Sequence, residues 1–373
     1  MVTWLWHDGV AQRFWRAVAG IAVAWGCIAQ ACASGTGNVT AADMRGPFPI
    51  LSTPYNEDGS IDHATLAREM EWVVRCGSPG AIWGQSNDSI DLLTTEEKLA
   101  CFETCAKAVE GRAIVLALGA NGTNEVEMLD MARAIESLAA RHPSSRIAMI
   151  SRPPDDVRME EALERAWDAL GRTARRPVIL QTYCSTNTPT PSVEMLVRLA
   201  ERHPAVFGFI KEEAAGNAAN ERMVAENASP AIKTVFSGWG GWQWLYQLRQ
   251  CGSAGLITER VAYLPLIVRV WREHLKSGCG GDPAPAYAMY RLLIDQRNFS
   301  GGGLRGYSLY FLELEKVFRN RLSRRYAKAQ ETEGGSFGSG RAWRLVGVEI
   351  PERQRRELDA LFEDMKRFTQ TAP

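Results

Sequence analysis

Between Phe48 and Leu275 the chain alternates eight times between a short apolar run and a segment whose apolar residues recur at helical spacing. The runs are Phe48 to Thr53, Gly80 to Gly84, Ala113 to Leu118, Arg146 to Ser151, Pro177 to Thr182, Val206 to Lys211, Ile232 to Ser237 and Ala254 to Thr258. Their length and bounding turn residues are those of strands buried on both faces. Asp62 to Cys76 shows the helical pattern that follows, with Ile61, Leu66, Met70 and Val73-Val74 on one side. Thr94-Thr95-Glu96-Glu97 opens the next helix with hydroxyl and carboxylate capping chemistry. Further helices are expected over Glu125 to Ala140, Met159 to Thr173, Ser192 to Arg202, Gly240 to Arg249 and Pro265 to Leu275. Eight such units in about 230 residues predict an α/β fold, a (β/α)8 TIM barrel, rather than an open sheet. No glycine-rich dinucleotide or phosphate loop follows the first run, which argues against a Rossmann arrangement.

Beyond Gly278-Cys-Gly-Gly-Asp-Pro the pattern turns to helices alone: Ala284 to Gln296, Leu304 to Gln330 and Glu352 to Phe368, with a Gly/Ser-rich break from Glu333 to Gly340. The expected organisation is therefore a leader and linker over 1–45, a barrel over 46–278 and a C-terminal helical region over 279–373.

The sixth run, Val206-Phe-Gly-Phe-Ile-Lys211, ends on a lysine. A cation there costs several kcal/mol unless it is paired, neutralised or used. The chain has only eight lysines. Lys98, Lys107, Lys276, Lys316, Lys328 and Lys366 fall in amphipathic helical patterns, where a solvated stem is expected, and Lys233 opens an apolar run. Lys211 alone closes a buried strand, the place where parallel α/β folds gather their chemistry. A desolvated amine there can attack a carbonyl and form a Schiff base. A lysine that has merely left the sheet for solvent fits the run equally well.

Acidic and basic residues balance at 43 each, so no net field draws nucleic acid or an anionic membrane. Arg319 to Arg325 and Arg353 to Arg356 read as solvated helix faces, and no nucleic-acid signature is present. Cys101 and Cys105, four apart on a predicted helix, read as buried core thiols rather than metal ligands, and no metal site is expected. At the start, Arg13 and Arg16 precede an apolar stretch from Ala17 to Ala29 and then Ala31-Cys32-Ala33. That order is the layout of a secretory signal peptide, too short to span a bilayer, and implies an exported or periplasmic protein with no membrane contact once it is removed. A start at Met44, just before the first strand, is the alternative and would leave the protein cytoplasmic.

Several pieces, in order and at matching spacing, resemble the dihydrodipicolinate synthase and N-acetylneuraminate lyase family of Schiff-base, class I aldolase-type lyases. Pro49-Ile-Leu-Ser-Thr-Pro54-Tyr with Asp58-Gly-Ser-Ile-Asp62 is similar to its first strand and helix start. Gly119-Ala-Asn121 is similar to the segment after its third strand. Gly208-Phe-Ile-Lys211-Glu212, with Gly216-Asn217 behind it, resembles its lysine strand, and Ser237-Gly238 and Gly252 to Ile257 resemble its last two strands. The resemblance implies that Lys211 is the Schiff-base lysine, acting on a small 2-oxo acid of pyruvate type. It implies no cofactor beyond that covalent adduct, a substrate pocket including Gly238 and Ile257, and a homo-oligomer, dimer or tetramer.

Departures from the family pattern bear on chemistry. The family's Gly-Thr-Thr-Gly-Glu carboxylate loop is here Gly84-Gln85-Ser86-Asn87-Asp88, which keeps backbone amides and one hydroxyl. Gly84, Gln85 and Ser86 are the expected carboxylate binders. The family's proton-relaying tyrosine after the fourth strand is replaced by Pro154, which has no proton to move. Gln181 stands where another tyrosine is usual, with Tyr183 two residues on. The lysine segment is one residue longer than the pattern, and a continuing strand would turn Glu213 to the same side as Lys211. Such a carboxylate holds the lysine protonated unless it serves as the missing base. Tyr183 and Glu213 are therefore the candidate proton carriers. Three readings follow: a Schiff-base lyase with altered specificity, a non-catalytic barrel that binds a small carboxylate or sugar acid, and dihydrodipicolinate synthase itself, which the missing tyrosine disfavours.

N-terminal sequencing of the protein from its native cell should read from near Ser34. A chain beginning at Met44 and retained in the cytoplasm would overturn the export expectation.

Overall fold

A computed structural model of the chain describes residues 38–85, 90–183, 187–214, 218–295, 303–327 and 342–370. The signal-like stretch, Ser86, Gly216 and Asn217 lie outside them. Eight parallel strands form one sheet: β1 (Gly46–Pro49), β2 (Gly80–Trp83), β3 (Val115–Gly119), β4 (Arg146–Ser151), β5 (Val178–Gln181), β6 (Phe209–Glu212), β7 (Thr234–Ser237) and β8 (Gly255–Thr258). From β2 onward each pairs with the next, and β8 pairs with β1. Between β1 and β2 the ring is joined just past β1, by an Ile50–Ile82 bridge and a Leu51 N–H that donates to Ile82 O at 2.9 Å. This is the TIM barrel that the eightfold alternation predicts.

The strands' alternation sorts side chains into two cores. Phe48, Ile82, Val115, Ala117, Ala148, Ile150, Ile179, Phe209, Phe236 and Ile257 fill the interior. Phe48 and Phe236 meet at 5.1 Å between ring centroids, and a Cβ on Gly80 would sit 2.3 Å from Phe48 Cε1, so only glycine leaves room for that ring. Met44 is fully buried in this cluster and Val39 packs on it, while Asp43 pairs with Arg146 at the start of β4. The barrel thus takes in residues a few positions before 46, because its base needs an apolar plug.

Outside the sheet lie α1 (His63–Arg75), α2 (Thr95–Ala108), α3 (Glu125–Arg141), α4 (Glu160–Thr173), α5 (Val193–Arg202) and α6 (Ala218–Ala228). Asp62, Thr94, Asn124 and Ser192 cap α1, α2, α3 and α5, Thr94 in a reciprocal box with Glu97. The helix expected over Gly240 to Arg249 is broken. A 3-10 turn (Trp239–Gly241) precedes α7 (Trp244–Tyr246), which runs on as a π-helical turn (Gln247–Cys251). Gly240 and Gly241, at φ 64° and 82°, are left-handed and interrupt the helix. After β8, α8 (Leu264–Ser277) completes the barrel.

The C-terminal region is not helical throughout, as its pattern suggested. α9 (Ala284–Asp295) and α10 (Gly303–Leu314) are followed by an antiparallel pair, β9 (Leu322–Tyr326) and β10 (Trp343–Gly347), and then α11 (Glu352–Gln370). The helix expected from Leu304 to Gln330 stops at Leu314, and Lys316 turns left-handed at φ 59°. Arg324 explains the strand. It is 2 % exposed, donates to Glu97 at 2.6 and 2.8 Å and to Gly59 O at 2.8 Å, and stacks on Trp343 at 4.1 Å. An arginine assigned to a solvated face is instead the pin between the appendage and the barrel.

On the outer side of β6 a second buried charge cluster forms. Glu212 accepts from Thr182 Oγ1 at 3.1 Å, from the Ala214 N–H at 2.5 Å and from Arg222 Nε at 3.0 Å. Glu226 of α6, fully buried, lies 3.6 Å from the same guanidinium. Burial first, then the neighbouring Glu212 charge, raises the Glu226 carboxyl well above the ordinary value, against the opposing pull of Arg222. Folding therefore takes up a proton once the unfolded carboxyl has ionised, and stability falls as pH rises above the unfolded value. Glu226→Gln, neutral at every pH, should unfold close to wild type at about pH 5 and at a higher temperature than wild type at about pH 8. Melting curves that keep a constant offset across that range would show that Glu226 is ionised in the fold.

Candidate active site at the barrel mouth

The strand period sets the site. Phe209 points into the barrel, Ile210 packs outward, and Lys211 points inward again beside its Cα partners Gln181 and Phe236. Glu212 turns outward and Glu213 returns to the lysine's side. Lys211 Nζ lies 2.9 Å from Glu213 Oε1, with the two residues 4 % and 8 % exposed. The reading of Lys211 as an amine that has escaped to solvent is therefore excluded.

The carboxylate is fixed from several directions. The Glu213 N–H donates to Thr182 Oγ1 at 2.8 Å, and Oε1 accepts the Trp239 N–H at 3.1 Å. The Trp239 indole N–H donates to Glu213 O at 2.5 Å and to Ala214 O at 3.1 Å. Trp239 holds a left-handed φ of 48°, a strained conformation for a bulky residue. A Cβ on Gly238 would lie 2.2 Å from Glu213 Cγ, so glycine there makes space for the carboxylate. Gly238 thus shapes the pocket through Glu213. Ile257 is fully buried in the interior cluster beneath it.

Across the mouth, Gln85 follows β2 and its amide nitrogen donates to Gln181 Oε1; Gln181 Nε2 donates to Tyr183 O at 2.6 Å. Since β3 and β4 stand between β2 and β5, this bond crosses the barrel lumen. Gly84 bends the chain at φ 87°, and its carbonyl accepts from Asn121 Nδ2 at 3.0 Å; Asn121 Oδ1 accepts the Arg152 N–H at 3.0 Å. Ser86 lies outside the described residues. Tyr183 packs against Trp239 with centroids 5.1 Å apart and ring planes tilted by 42°, and its described contacts do not include Lys211. The structure therefore brings Glu213 to the lysine and ties Tyr183 to the tryptophan that holds Glu213.

Sequence reasoning missed two cations near this face. Arg152 is 1 % exposed and lies 2.8 Å from Asp155. Lys98, expected to be a solvated stem, is 8 % exposed and lines a small cavity with Gly84, Phe102, Gly119 and Asn121. Burial pushes its pKa down, and Asp91 pulls the other way. The signal was present: Lys98 lies in register with Cys101, Phe102 and Cys105, the buried stripe of α2. The two cysteines are fully buried and not in disulfides, and burial raises the Cys105 thiol well above its ordinary value. Among the described residues no cluster of three metal-ligating side chains occurs.

Comparison with known proteins agrees with this geometry. Residues 43–143 match the model of the dihydrodipicolinate synthetase family. The 4-hydroxy-tetrahydrodipicolinate synthase of Neisseria gonorrhoeae is 27 % identical over 251 residues, covering 67 % of this chain and 81 % of that protein. In fold, the chain is similar to dihydrodipicolinate synthase from Rhodopseudomonas palustris, with TM-score 0.67, 18 % identity, and 87 % and 99 % of the two chains covered. It is equally similar to a sialic acid aldolase from Ruminococcus gnavus, with TM-score 0.68, 16 % identity, and 88 % and 99 % covered. An Escherichia coli K12 prophage protein of the same family, solved with pyruvate, matches at TM-score 0.63 and 19 % identity over 86 % and 98 %. With its barrel closed and its inward lysine on the sixth strand, the chain is similar to the dihydrodipicolinate synthetase family in part of its sequence and in its fold.

Proposed function

We propose that this protein is a Schiff-base-forming lyase or aldolase of 2-oxo acids in which Lys211 is the nucleophile and Glu213 its proton carrier. The family supports a lyase of class I aldolase type. The observation that carries the finer reading is the buried 2.9 Å contact between the Lys211 amine and the Glu213 carboxylate. A structure of the Ruminococcus aldolase is described as a catalytic lysine mutant, which supports the same use of a lysine in a related barrel.

The chemistry follows from the pair. The ammonium of Lys211 passes a proton to Glu213, and the free amine attacks the C2 carbonyl to give a carbinolamine. Glu213, now protonated, returns its proton to the carbinolamine hydroxyl, which leaves as water while the nitrogen lone pair forms the iminium. Glu213, ionised again, takes the proton of the C4 hydroxyl as the C3–C4 bond breaks; that bond's electron pair moves into the iminium, the aldehyde departs and an enamine remains. Glu213 thus does the work for which Pro154 is unfit. The substrate carboxylate is assigned to the Gly84–Gln85 turn, the adduct needs no other cofactor, and the protein is expected to work as a homo-oligomer. A second reading, a barrel that binds a small acid without turning it over, draws on the same contact, since a lysine engaged by Glu213 at 2.9 Å can serve as a fixed ion pair rather than as a nucleophile.

Borohydride trapping read by mass spectrometry decides between them. Wild type should gain covalent mass at Lys211 with pyruvate or another 2-oxo acid, and Lys211→Ala should gain none; failure of wild type over a panel of oxo acids supports the binder. Positioned general acid–base help is worth about 10²–10⁴ in rate, so Glu213→Gln should trap at least about tenfold more slowly. An equal loss in Tyr183→Phe, with Glu213→Gln unaffected, would move the proton carrier to the phenol.

A further inference from the structure

The turn that follows β7 holds Glu213 in place, and it is itself held from behind. Trp239, Gly240 and Gly241 stand one after another in the left-handed region, at φ 48°, 64° and 82°. Glycine adopts that conformation freely, but a tryptophan keeps it only where the groups around it leave no alternative. On the side of the site, the Trp239 N–H is committed to Glu213 Oε1, and its indole N–H to Glu213 O and Ala214 O. The opposite side is fixed by two residues that the mechanism does not use. Arg260, two residues past β8 and 3 % exposed, donates from Nε to Gly240 O at 3.1 Å and lies over the Trp242 ring at 3.9 Å. Tyr290, on α9 of the C-terminal region, donates its hydroxyl to Gly241 O at 2.5 Å. It is buried, and burial raises that hydroxyl above its ordinary value, so it remains a donor at neutral pH.

The two carbonyls belong to consecutive peptide units. Pinning both leaves the turn no freedom to relax toward the right-handed region that tryptophan prefers, and the Trp239 N–H stays aimed at the carboxylate. A misplacement of about 1 Å in a catalytic group can cost about 100-fold in rate, so a hydroxyl bonded only to a loop carbonyl can still govern the chemistry. We propose that Tyr290 is a positioning residue for the Lys211–Glu213 pair: from outside the barrel it holds the Trp239–Gly241 turn, and through Trp239 the carboxylate, with Arg260 as a second brace. The inference rests on the reading of Glu213 as proton carrier given above, and it gives the C-terminal region a part in the work of the barrel mouth.

Tyr290→Phe deletes the hydroxyl and keeps the ring. Borohydride trapping on the full chain, with pyruvate or the 2-oxo acid of the panel that wild type traps best, yields a maximal rate and a half-saturating concentration for each variant. In Tyr290→Phe the maximal rate should fall at least about fivefold while half-saturation stays within about twofold. Added to Glu213→Gln, the same substitution should slow trapping by no more than about twofold, because a residue that acts only through Glu213 has nothing left to position. Should Tyr290→Phe fail to fold, Arg260→Lys, which lacks Nε and the planar stack on Trp242, is held to the same two criteria. A Tyr290→Phe that traps at the wild-type rate, or whose full loss recurs on top of Glu213→Gln, overturns the inference and leaves the Schiff-base reading standing. If wild type traps no oxo acid, or if Glu213→Gln traps at the wild-type rate, the reading of the pair falls and takes this one with it.

Discussion

A lysine and a glutamate that meet at 2.9 Å inside a barrel are the constraint around which this structure is arranged. Removing two charges from water costs several kcal/mol per ion, and their attraction offsets this only if geometry is good and the remaining lone pairs are used. The surroundings of Glu213 meet both conditions. Thr182 and Trp239 fix its main chain and carboxylate, and Gly238 gives up a side chain to admit it. Trp239 accepts a strained backbone to do so. Such an arrangement contributes little to stability compared with an apolar pair of the same volume, so its presence is better explained by what an amine next to a base can do.

The other side of β6 carries the complementary burden. Because the strand period is two, the charged triplet Lys211-Glu212-Glu213 sends its middle member outward. There Glu212 accepts from the Ala214 N–H, and so steadies the backbone just past Glu213, while Arg222 and the raised carboxyl of Glu226 complete the cluster. One buried guanidinium cannot serve two ionised carboxylates, and keeping Glu226 neutral leaves Arg222 committed to Glu212. Packing behind the sheet and chemistry inside it are thus joined through one strand.

Much of this was legible in the chain. Eight apolar runs at barrel spacing gave the topology, and alternation along β6 placed Glu213 beside Lys211 before any coordinates. What was not legible depended on contacts distant in sequence. Lys98 was assigned to solvent because lysine in an amphipathic helix usually is, although its register with Cys101, Phe102 and Cys105 put it on the buried stripe. Arg324 sits in a basic run that has the composition of a solvated helix, and only the stacking of Trp343 and the reach to Glu97 and Gly59 make it a buried strand residue. The meeting of Gln85 with Gln181 joins positions 96 residues apart across the lumen, and no local pattern encodes it.

Those two glutamines also show why the departures from the family pattern are better taken together than one by one. At a barrel mouth every polar group faces the same small volume, so a change on one strand leaves a donor or acceptor that another strand must answer. Gln181 stands where a tyrosine is usual and Gln85 where a hydroxyl residue is, and each satisfies the other. Glu213 meets the Lys211 amine at 2.9 Å, on the side of the strand that faces the lumen. The exchanged amides pair with each other and with Tyr183 O, which leaves Gln85 Oε1 without a hydrogen-bond partner among the described residues.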